Sequence, residues 1–419
     1  MTRYRVKKRL DWRSWVTPKH LEEKPIHRWY IFPHSFTDEL VKALIDEWEL
    51  DSSDTIVDPF AGAGTAILAA KEKGIPARGF DLSPLSVLAT QVKVANYNPG
   101  RLKGHWGKLG KSIQVRGPNG EQDNYPDLVV CALHGKRLAT LHSIKQSIAA
   151  LPASRAEKRF FLLALLSILP HFSRAIATGG WLSWRASFAQ PESIRDALAE
   201  QVAMMLKDLE HHHLPRSADW AGVLADARAI PFRRQGASAV ICSPPYPNRH
   251  DYTRVFGVEL MFGFLDWNET RNLRYQLFHS HPEARPRRPN ANGYKEPAFV
   301  KRAIAHVAKQ SEQERVVKML RGYFLDLYLS LREVCRILRP GGRAAFVVGN
   351  AQYHGTVIEV DRATAAIGEE CGLACEEIRL VRERGNSAQQ MGRFGRLPSR
   401  ESVVLFNRPD SPKTTGGVL

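Results

Sequence analysis

The chain reads as an α/β protein: a doubly wound, mostly parallel sheet interrupted by a helical insertion. Three observations predict this. A short apolar strand, Thr55-Ile56-Val57, runs into the glycine loop Asp58-Pro59-Phe60-Ala61-Gly62-Ala63-Gly64-Thr65, then a helix over 66–73, then a second strand ending on Asp81. The strand-then-polar rhythm resumes at 221, where Val223-Leu224-Ala225 precedes Asp226 and Ala239-Val240-Ile241-Cys242 precedes Ser243. Between roughly 100 and 220 that rhythm gives way to long helical patterns, 156–172 and 191–213.

Each element follows from its residues. The first 20 residues carry Arg3, Arg5, Lys7, Lys8, Arg9, Arg13 and Lys19 against Asp11, with Tyr4, Trp12 and Trp15 interleaved. Such an arm either stacks on bases or packs its rings on the domain. Leu40, Val41, Leu44, Ile45 and Trp48 repeat at helical spacing behind Ser35 or Thr37 as N-cap. Gly74 ends the helix after the glycine loop. The stretch from Arg116 to Pro126 is rich in Gly, Pro and Asn, and four prolines make 279–297 a loop. A long amphipathic helix is expected over 311–338, a tight turn at Pro340-Gly341-Gly342, a strand over 344–348 and a last strand over 401–406. The resulting organisation is a basic arm (1–26), a ligand-binding half (27–100), a mainly helical insertion (101–220) and a second half with basic loops (221–419).

Composition narrows the class. At 419 residues with 43% hydrophobic and 9% aromatic content, the chain has the material for a core, which excludes wholesale disorder. No apolar run approaches the ~18–20 residues of a membrane span, and MTRYRVKKRLDW lacks the apolar region of a secretory signal. Five scattered cysteines exclude a disulfide scaffold, and a reducing cytoplasm is the expected location. A formal charge of +17 is the footprint of a polyanion binder, with nucleic acid ahead of a membrane surface.

Two constellations carry chemistry. Gly62 and Gly64 permit a tight turn where backbone approaches a ligand, and the next helix offers free N–H groups. Thr65 is followed by Ala66, so the P-loop lysine is missing, and the glycines lack the dinucleotide spacing. Asp58, at the strand's end, would repel a pyrophosphate but suits a cationic amine. Asp81 lies 23 residues on, the distance at which an acid accepts ribose hydroxyls. S-adenosylmethionine has both groups. In Ser243-Pro244-Pro245-Tyr246, two prolines remove two backbone donors and stiffen the chain. What remains is a rigid edge of acceptors beside an aromatic ring, suited to an exocyclic amine on a flat base. Cys242 directly precedes Ser243, but strand alternation points it into the core, away from the role of a nucleophile.

DPFAGAGT (58–65) together with SPPY (243–246) resembles the amino-methyltransferases of DNA, which modify N4 of cytosine or N6 of adenine. HRWYIFPHSFTDELVKALI (27–45) resembles the family segment that closes over the cofactor. GFDLSPLSV (79–87) resembles the ribose-binding stretch and LADARAIPF (224–232) the segment whose acid reaches adenine, while LREVCRILRPGGRAAFVVGN (331–350) resembles the helix, turn and strand after the catalytic loop. The resemblance implies a Rossmann-like, S-adenosylmethionine-dependent methyltransferase fold. Phe36, Asp58, Phe60, Gly62, Gly64, Thr65, Asp81 and Asp226 would hold the cofactor, and Ser243, Pro244, Pro245 and Tyr246 the target amine. Serine in the first motif position is similar to the N4-cytosine enzymes; aspartate or asparagine is commoner in the N6-adenine enzymes. The implied partner is double-stranded DNA, with a cognate restriction endonuclease acting separately. An RNA amino-methyltransferase and a DNA-binding protein on a decayed methylase fold are the rival readings.

The basic loops supply candidate DNA contacts. Arg249 lies in Asn248-Arg249-His250-Asp251-Tyr252, which follows SPPY and is expected to line the target-base pocket. Arg285, Arg287 and Arg288 suit phosphates, and Gln390 and Arg393, within 382–396, suit base edges. His211-His212-His213 and the pair Cys371 and Cys375 read as surface and packing residues, so no metal is expected.

Overall fold

The computed structural model describes residues 4–113, 120–178, 181–185, 193–216, 219–310, 314–385, 395 and 399–410. In chain order the strands are β1 (Val6–Lys8), β2 (Ile56–Asp58), β3 (Ala77–Asp81), β4 (Ala175–Thr178), β5 (Trp181–Trp184), β6 (Trp220–Leu224), β7 (Ala237–Cys242), β8 (Leu338–Gly349), β9 (Ala351–Tyr353), β10 (Thr356–Ile358), β11 (Ala374–Arg384) and β12 (Ser399–Asn407). The helices are α1 (Asp38–Glu47), α2 (Thr65–Glu72), α3 (Pro84–Val94), α4 (Pro99–Ser112), α5 (Asp127–Ala132), α6 (Lys136–Ala150), α7 (Arg155–Phe172), α8 (Ile194–His211), α9 (Tyr252–Val255), α10 (Gly257–Gly263), α11 (Trp267–Gln276), α12 (Ala298–Gln310), α13 (Glu314–Ile337) and α14 (Val360–Glu370).

One eight-stranded sheet organises the molecule, in the order β1–β11–β12–β8–β7–β2–β3–β6. β12 runs antiparallel to both neighbours, and the other pairings are parallel. This is the doubly wound, mostly parallel sheet expected from the sequence. β2 has β3 on one side and β7 on the other, so the winding reverses there. At such a switch point a crevice opens beyond the carboxyl ends of the strands.

Strand alternation splits the core between two faces. Ile56, Ala239, Ile241 and Val347 face α1 and α2, packing on Leu40, Leu44 and Ile67. Val57, Val240, Cys242 and Phe346 face the other way, onto Phe324 and Leu327 of α13 and Ile367 of α14. Cys242 is fully buried there, and burial pushes its thiol pKa up, as its core reading requires. The insertion packs α4 to α8 against α3 and α10 through a third cluster that includes Leu88, Phe160, Leu165 and Phe262.

Local chemistry fixes several helix ends. Ser83 caps α3, whose first residue is Pro84. Ser154 and Glu157 close a capping box on α7, and Asp266 and Glu269 close another on α11. Of the two readings of the arm, the structure takes the packed one: β1 pairs with β11, and Trp12 is buried beneath the Arg379 guanidinium at 4.9 Å. Two features differ from the sequence reading. The insertion contains a β4–β5 hairpin. Pro340-Gly341-Gly342 lies inside β8, because the Gly341 amide and the Gly342 carbonyl both bond Arg408 at 2.8 Å.

Candidate functional site

Four polar residues sit just beyond the ends of four neighbouring parallel strands. Asp58 closes β2, Asp81 closes β3, Asp226 follows β6 and Ser243 follows β7. They are far apart in sequence, and the strand order brings them side by side. Above them opens a cleft of about 920 Å³, its mouth included. Phe60, Gly62, Asp81, Asp226, Ser243 and Pro245 all line it.

The glycine loop owes its shape to two left-handed residues. Gly62 has φ +51° and Gly64 φ +82°. A Cβ at Gly64 would stand 2.9 Å from the Thr90 Cα, so the position admits only glycine. Gly64 then caps α2, whose first residue, Thr65, is buried with its hydroxyl 3.1 Å from that of Ser35.

The acids differ in their surroundings. One Asp81 oxygen accepts the Gly62 amide at 2.9 Å and the other the Ser83 amide at 2.8 Å, the Ser86 hydroxyl and Leu82 amide also act on the carboxylate, and the residue lines the cleft. Burial pushes the Asp81 pKa up. Asp58 is buried and accepts the Phe60 amide at 2.9 Å. Burial, with the Asp81 charge adding to it, raises its pKa to about 8. Its carboxyl is therefore largely neutral at pH 7. Asp226 is held in a fork by Arg228, with contacts of 2.8 and 2.7 Å. The Phe60 and Phe278 rings meet edge to face at 5.6 Å and give this end of the cleft an apolar wall. Paired acceptors, an apolar wall and a buried acid form a donor set that fits S-adenosylmethionine.

On the opposite lip, the Ser243 hydroxyl donates to the Val347 carbonyl of β8 at 3.1 Å. Its single proton is thereby committed, and its lone pairs are left as acceptors. Pro244 is buried. The Tyr246 hydroxyl donates to Glu401 at 3.3 Å, and its ring lies against Gly349, where a Cβ would approach to 2.7 Å.

Two expected residues, Phe36 and Arg288, lie elsewhere. Phe36 is buried against α1 with Trp12 and Leu40, and Phe32 and His34 line the cleft instead. Arg285 and Arg287 are exposed. Arg288 turns inward, donating to Asp326 at 2.8 Å and to the Gly322 carbonyl at 3.2 Å. The cause is Asp326 itself, a fully buried carboxylate on α13. Arg228 also reaches it, at 3.2 Å, as do the amide and Nδ1 of His279, at 3.0 and 2.8 Å. Burial pushes the Asp326 pKa up, but His279, Arg228 and Arg288 more than offset it and hold it below the usual value. Arg249, with φ +68°, sets its guanidinium over the Tyr353 ring at 5.2 Å. Gln390 and Arg393 lie outside the described residues.

Sequence reasoning missed Phe32, Arg228, Phe256 and Phe278 as cleft walls. Arg228 and Phe32 had a signal, since both stand in segments already singled out, 224–232 and 27–45. Among the described residues, His27, Asp38 and Glu72 bring ligand atoms within 4.8 Å of one another. The Lys42 ammonium stands between the two carboxylates, at 2.7 and 2.6 Å, and already neutralises them.

No protein-family model matches the chain. Type II methyltransferase M.BsoBI of Geobacillus stearothermophilus is 26% identical over 95% of this chain and 88% of its own length. Type II methyltransferase M.AvaI of Nostoc sp. (strain PCC 7120) is 26% identical over 93% and 87%. Type II methyltransferase M.MjaII of Methanocaldococcus jannaschii is 32% identical over a shorter region, 19% of this chain and 15% of its own. Among solved structures, geranyl diphosphate C-methyltransferase from Streptomyces coelicolor A3(2) is 8% identical, covering 97% of this chain and 89% of its own at a TM-score of 0.34. So low a score adds nothing to the fold, which rests on the strand order. Over nearly its whole length, this chain is similar to Type II methyltransferases.

Proposed function

We propose that the chain is an S-adenosylmethionine-dependent DNA methyltransferase of a restriction–modification system. Its target is an exocyclic amine, N4 of cytosine, on a base turned out of the duplex. The observation that carries the reading is the single cleft on which the Gly62 loop, Asp81, Asp226, Ser243 and Pro245 converge. The Type II methyltransferase relatives and the +17 charge support it.

S-adenosylmethionine, when bound, supplies a methyl group on a positively charged sulfur. The chain's own residues do the positioning. Asp81 accepts the ribose hydroxyls, Asp226 stands by the adenine, and Asp58 meets the ammonium. Gly62, Gly64 and Thr65 shape the loop around the amino-acid end, with Phe60 against the ring. Ser243 accepts one amine hydrogen, since its own proton is held by Val347, and the Pro244 carbonyl accepts the other. Directed hydrogen bonds draw the nitrogen lone pair out of conjugation and toward the methyl carbon. The N–C bond forms as the S–C bond breaks, and the extra proton on nitrogen leaves to water. Tyr246 stacks on the base, Pro245 stiffens the turn, and Arg249, Arg285, Arg287, Gln390 and Arg393 contact DNA. The serine in the first motif position favours cytosine.

The test is expression in a host free of DNA methylation, followed by modification-sensitive sequencing of its DNA. N4-methylcytosine within one short sequence is the expected result. N6-methyladenine would move the target atom, and methylation confined to tRNA would overturn the DNA assignment.

A further inference from the structure

Tyr246 ends the Ser243-Pro244-Pro245-Tyr246 edge, and one row of residues across the sheet fixes its ring. The row runs from Gly349 of β8 through Glu401 of β12 to Arg382 of β11: Glu401 pairs in register with Gly349 on one side and with Arg382 on the other. Directly opposed residues of antiparallel strands present their side chains on the same face. β12 runs against the parallel strands, so its first residues stand at their carboxyl ends, on the side of the cleft that Ser243 and Pro245 line.

The ring rests on the first two members of the row, and the third supports the second. One side of the ring lies on Gly349, where a Cβ would stand 2.7 Å from both Cδ2 and Cε2. The Tyr246 hydroxyl donates to one Glu401 oxygen at 3.3 Å. Glu401 is 2% exposed, and the half-buried Arg382 guanidinium lies 3.6 Å from its other oxygen. The ring thus has a seat and an anchor at the same time.

Architecture alone does not account for a glutamate at this position. A buried carboxyl is costly, and an apolar residue would pack the strand at lower cost. Val403 and Leu405, the next residues of β12 on that face, are apolar and buried. What Glu401 adds is a directed acceptor for one phenol. A ring that is already held loses little freedom when a base stacks on it. Donation to a carboxylate also makes the ring face more electron-rich, and the base under attack gains positive charge as its nitrogen takes the methyl carbon.

We propose that Glu401 is a positioning residue for methyl transfer: through the Tyr246 hydroxyl, and with Gly349 as the seat, it holds the ring against which the everted base stacks. This rests on the proposed function, which supplies the base. The test is a double-substitution cycle on the full chain: Tyr246→Phe, Glu401→Ala and both together. Labelled S-adenosylmethionine and DNA from a methylation-free host are the substrates, with protein in excess over sites so that a single turnover is read. Each single change should slow transfer about tenfold, the worth of a hydrogen bond to a charged group. The pair should be no slower than either alone, where independent effects would multiply to about 100-fold. S-adenosylhomocysteine affinity should hold within about twofold in all three. Should Glu401→Ala misfold, Glu401→Gln takes its place in the cycle, and its smaller loss should vanish in the Tyr246→Phe background. An unchanged rate in Tyr246→Phe, or losses that multiply, overturns the positioning role. A wild type that transfers no methyl group to DNA brings down the proposed function, and this inference falls with it. Wild-type transfer without coupling between the two positions sinks this inference alone.

Discussion

The Asp81 carboxylate, at the end of β3, accepts the amide of Gly62, in the loop after β2, at 2.9 Å. One side chain thus fixes the shape of the glycine loop and lines the cleft. Asp81→Asn presents an NH₂ group to one of the two amides it now accepts, Gly62 or Ser83. We expect S-adenosylmethionine affinity to fall about 10- to 100-fold, in line with the ~1.5–3 kcal/mol of a hydrogen bond to a charged group. Calorimetric titration checks it, and unchanged affinity would remove Asp81 from the site.

If Asp58 meets the cofactor's ammonium as proposed, cofactor binding should depend on pH. Its pKa is raised to about 8 in the free protein, chiefly by burial. A bound ammonium favours the ionised form, so binding releases a proton below pH 8. Affinity should therefore rise with pH, by up to about tenfold per unit, and level off above 8. Titrations at pH 7 in buffers of different ionisation enthalpy should show up to one proton released, and Asp58→Asn should abolish it. A pH-independent affinity between 6.5 and 8, roughly the range where linkage is strongest, contradicts this role.

Ser243→Ala removes the proposed acceptor of the reacting amine together with the hydrogen bond to the Val347 carbonyl. Methyl transfer at saturating substrates should drop about 10²–10³-fold, while cofactor affinity holds within about twofold. Single-turnover kinetics separate the two. An equal loss in binding and rate would mean that the hydroxyl serves the fold through Val347.

Asp326, itself fully buried, holds two arginines and a histidine. Asp326→Asn leaves those groups short of a counter-charge, at a cost of about 3–5 kcal/mol. Denaturant unfolding should show it, and cofactor affinity should weaken as Arg228 loosens its hold on Asp226. Arg288→Met removes one cation and keeps the carboxylate paired, so its cost should be smaller. The reverse order would mean that the hub is not centred on Asp326.

Lys93 is buried in α3, donates to the Tyr30 carbonyl at 2.7 Å, and has a pKa lowered to about 7 by burial. From pH 7 to about 10 the unfolded chain therefore binds a proton that the folded chain does not. By linkage, this group's contribution to stability rises with pH over that window. Relative to Lys93→Met, the wild type should gain up to about 1.4 kcal/mol per pH unit there. Paired unfolding curves at pH 7 and 9 test it, since other titrating groups cancel in the difference. Parallel behaviour of the two proteins would show that Lys93 keeps its charge.

The sequence by itself determined what depends on neighbours along the chain. The strand before Asp58, the left-handed turns at Gly62 and Gly64, the start of α2 and the stiff Ser243-Pro244-Pro245 edge are set by steric limits within a few residues. Alternation in Ala239-Val240-Ile241-Cys242 likewise sent Cys242 to the core. Tertiary structure decided what depends on distant partners. Arg288 reads as a phosphate contact until Asp326, 38 residues away, draws it inward. Phe36 gives way at the cleft to Phe32, because the packing of α1 on the sheet claims one ring and leaves the other facing Phe256. No periodicity reveals that Phe32 and Phe256 meet. Backbone shape is encoded locally. The direction of a side chain is set by whichever charge or ring the fold brings near, because a buried charge must be paired and a buried ring must be packed.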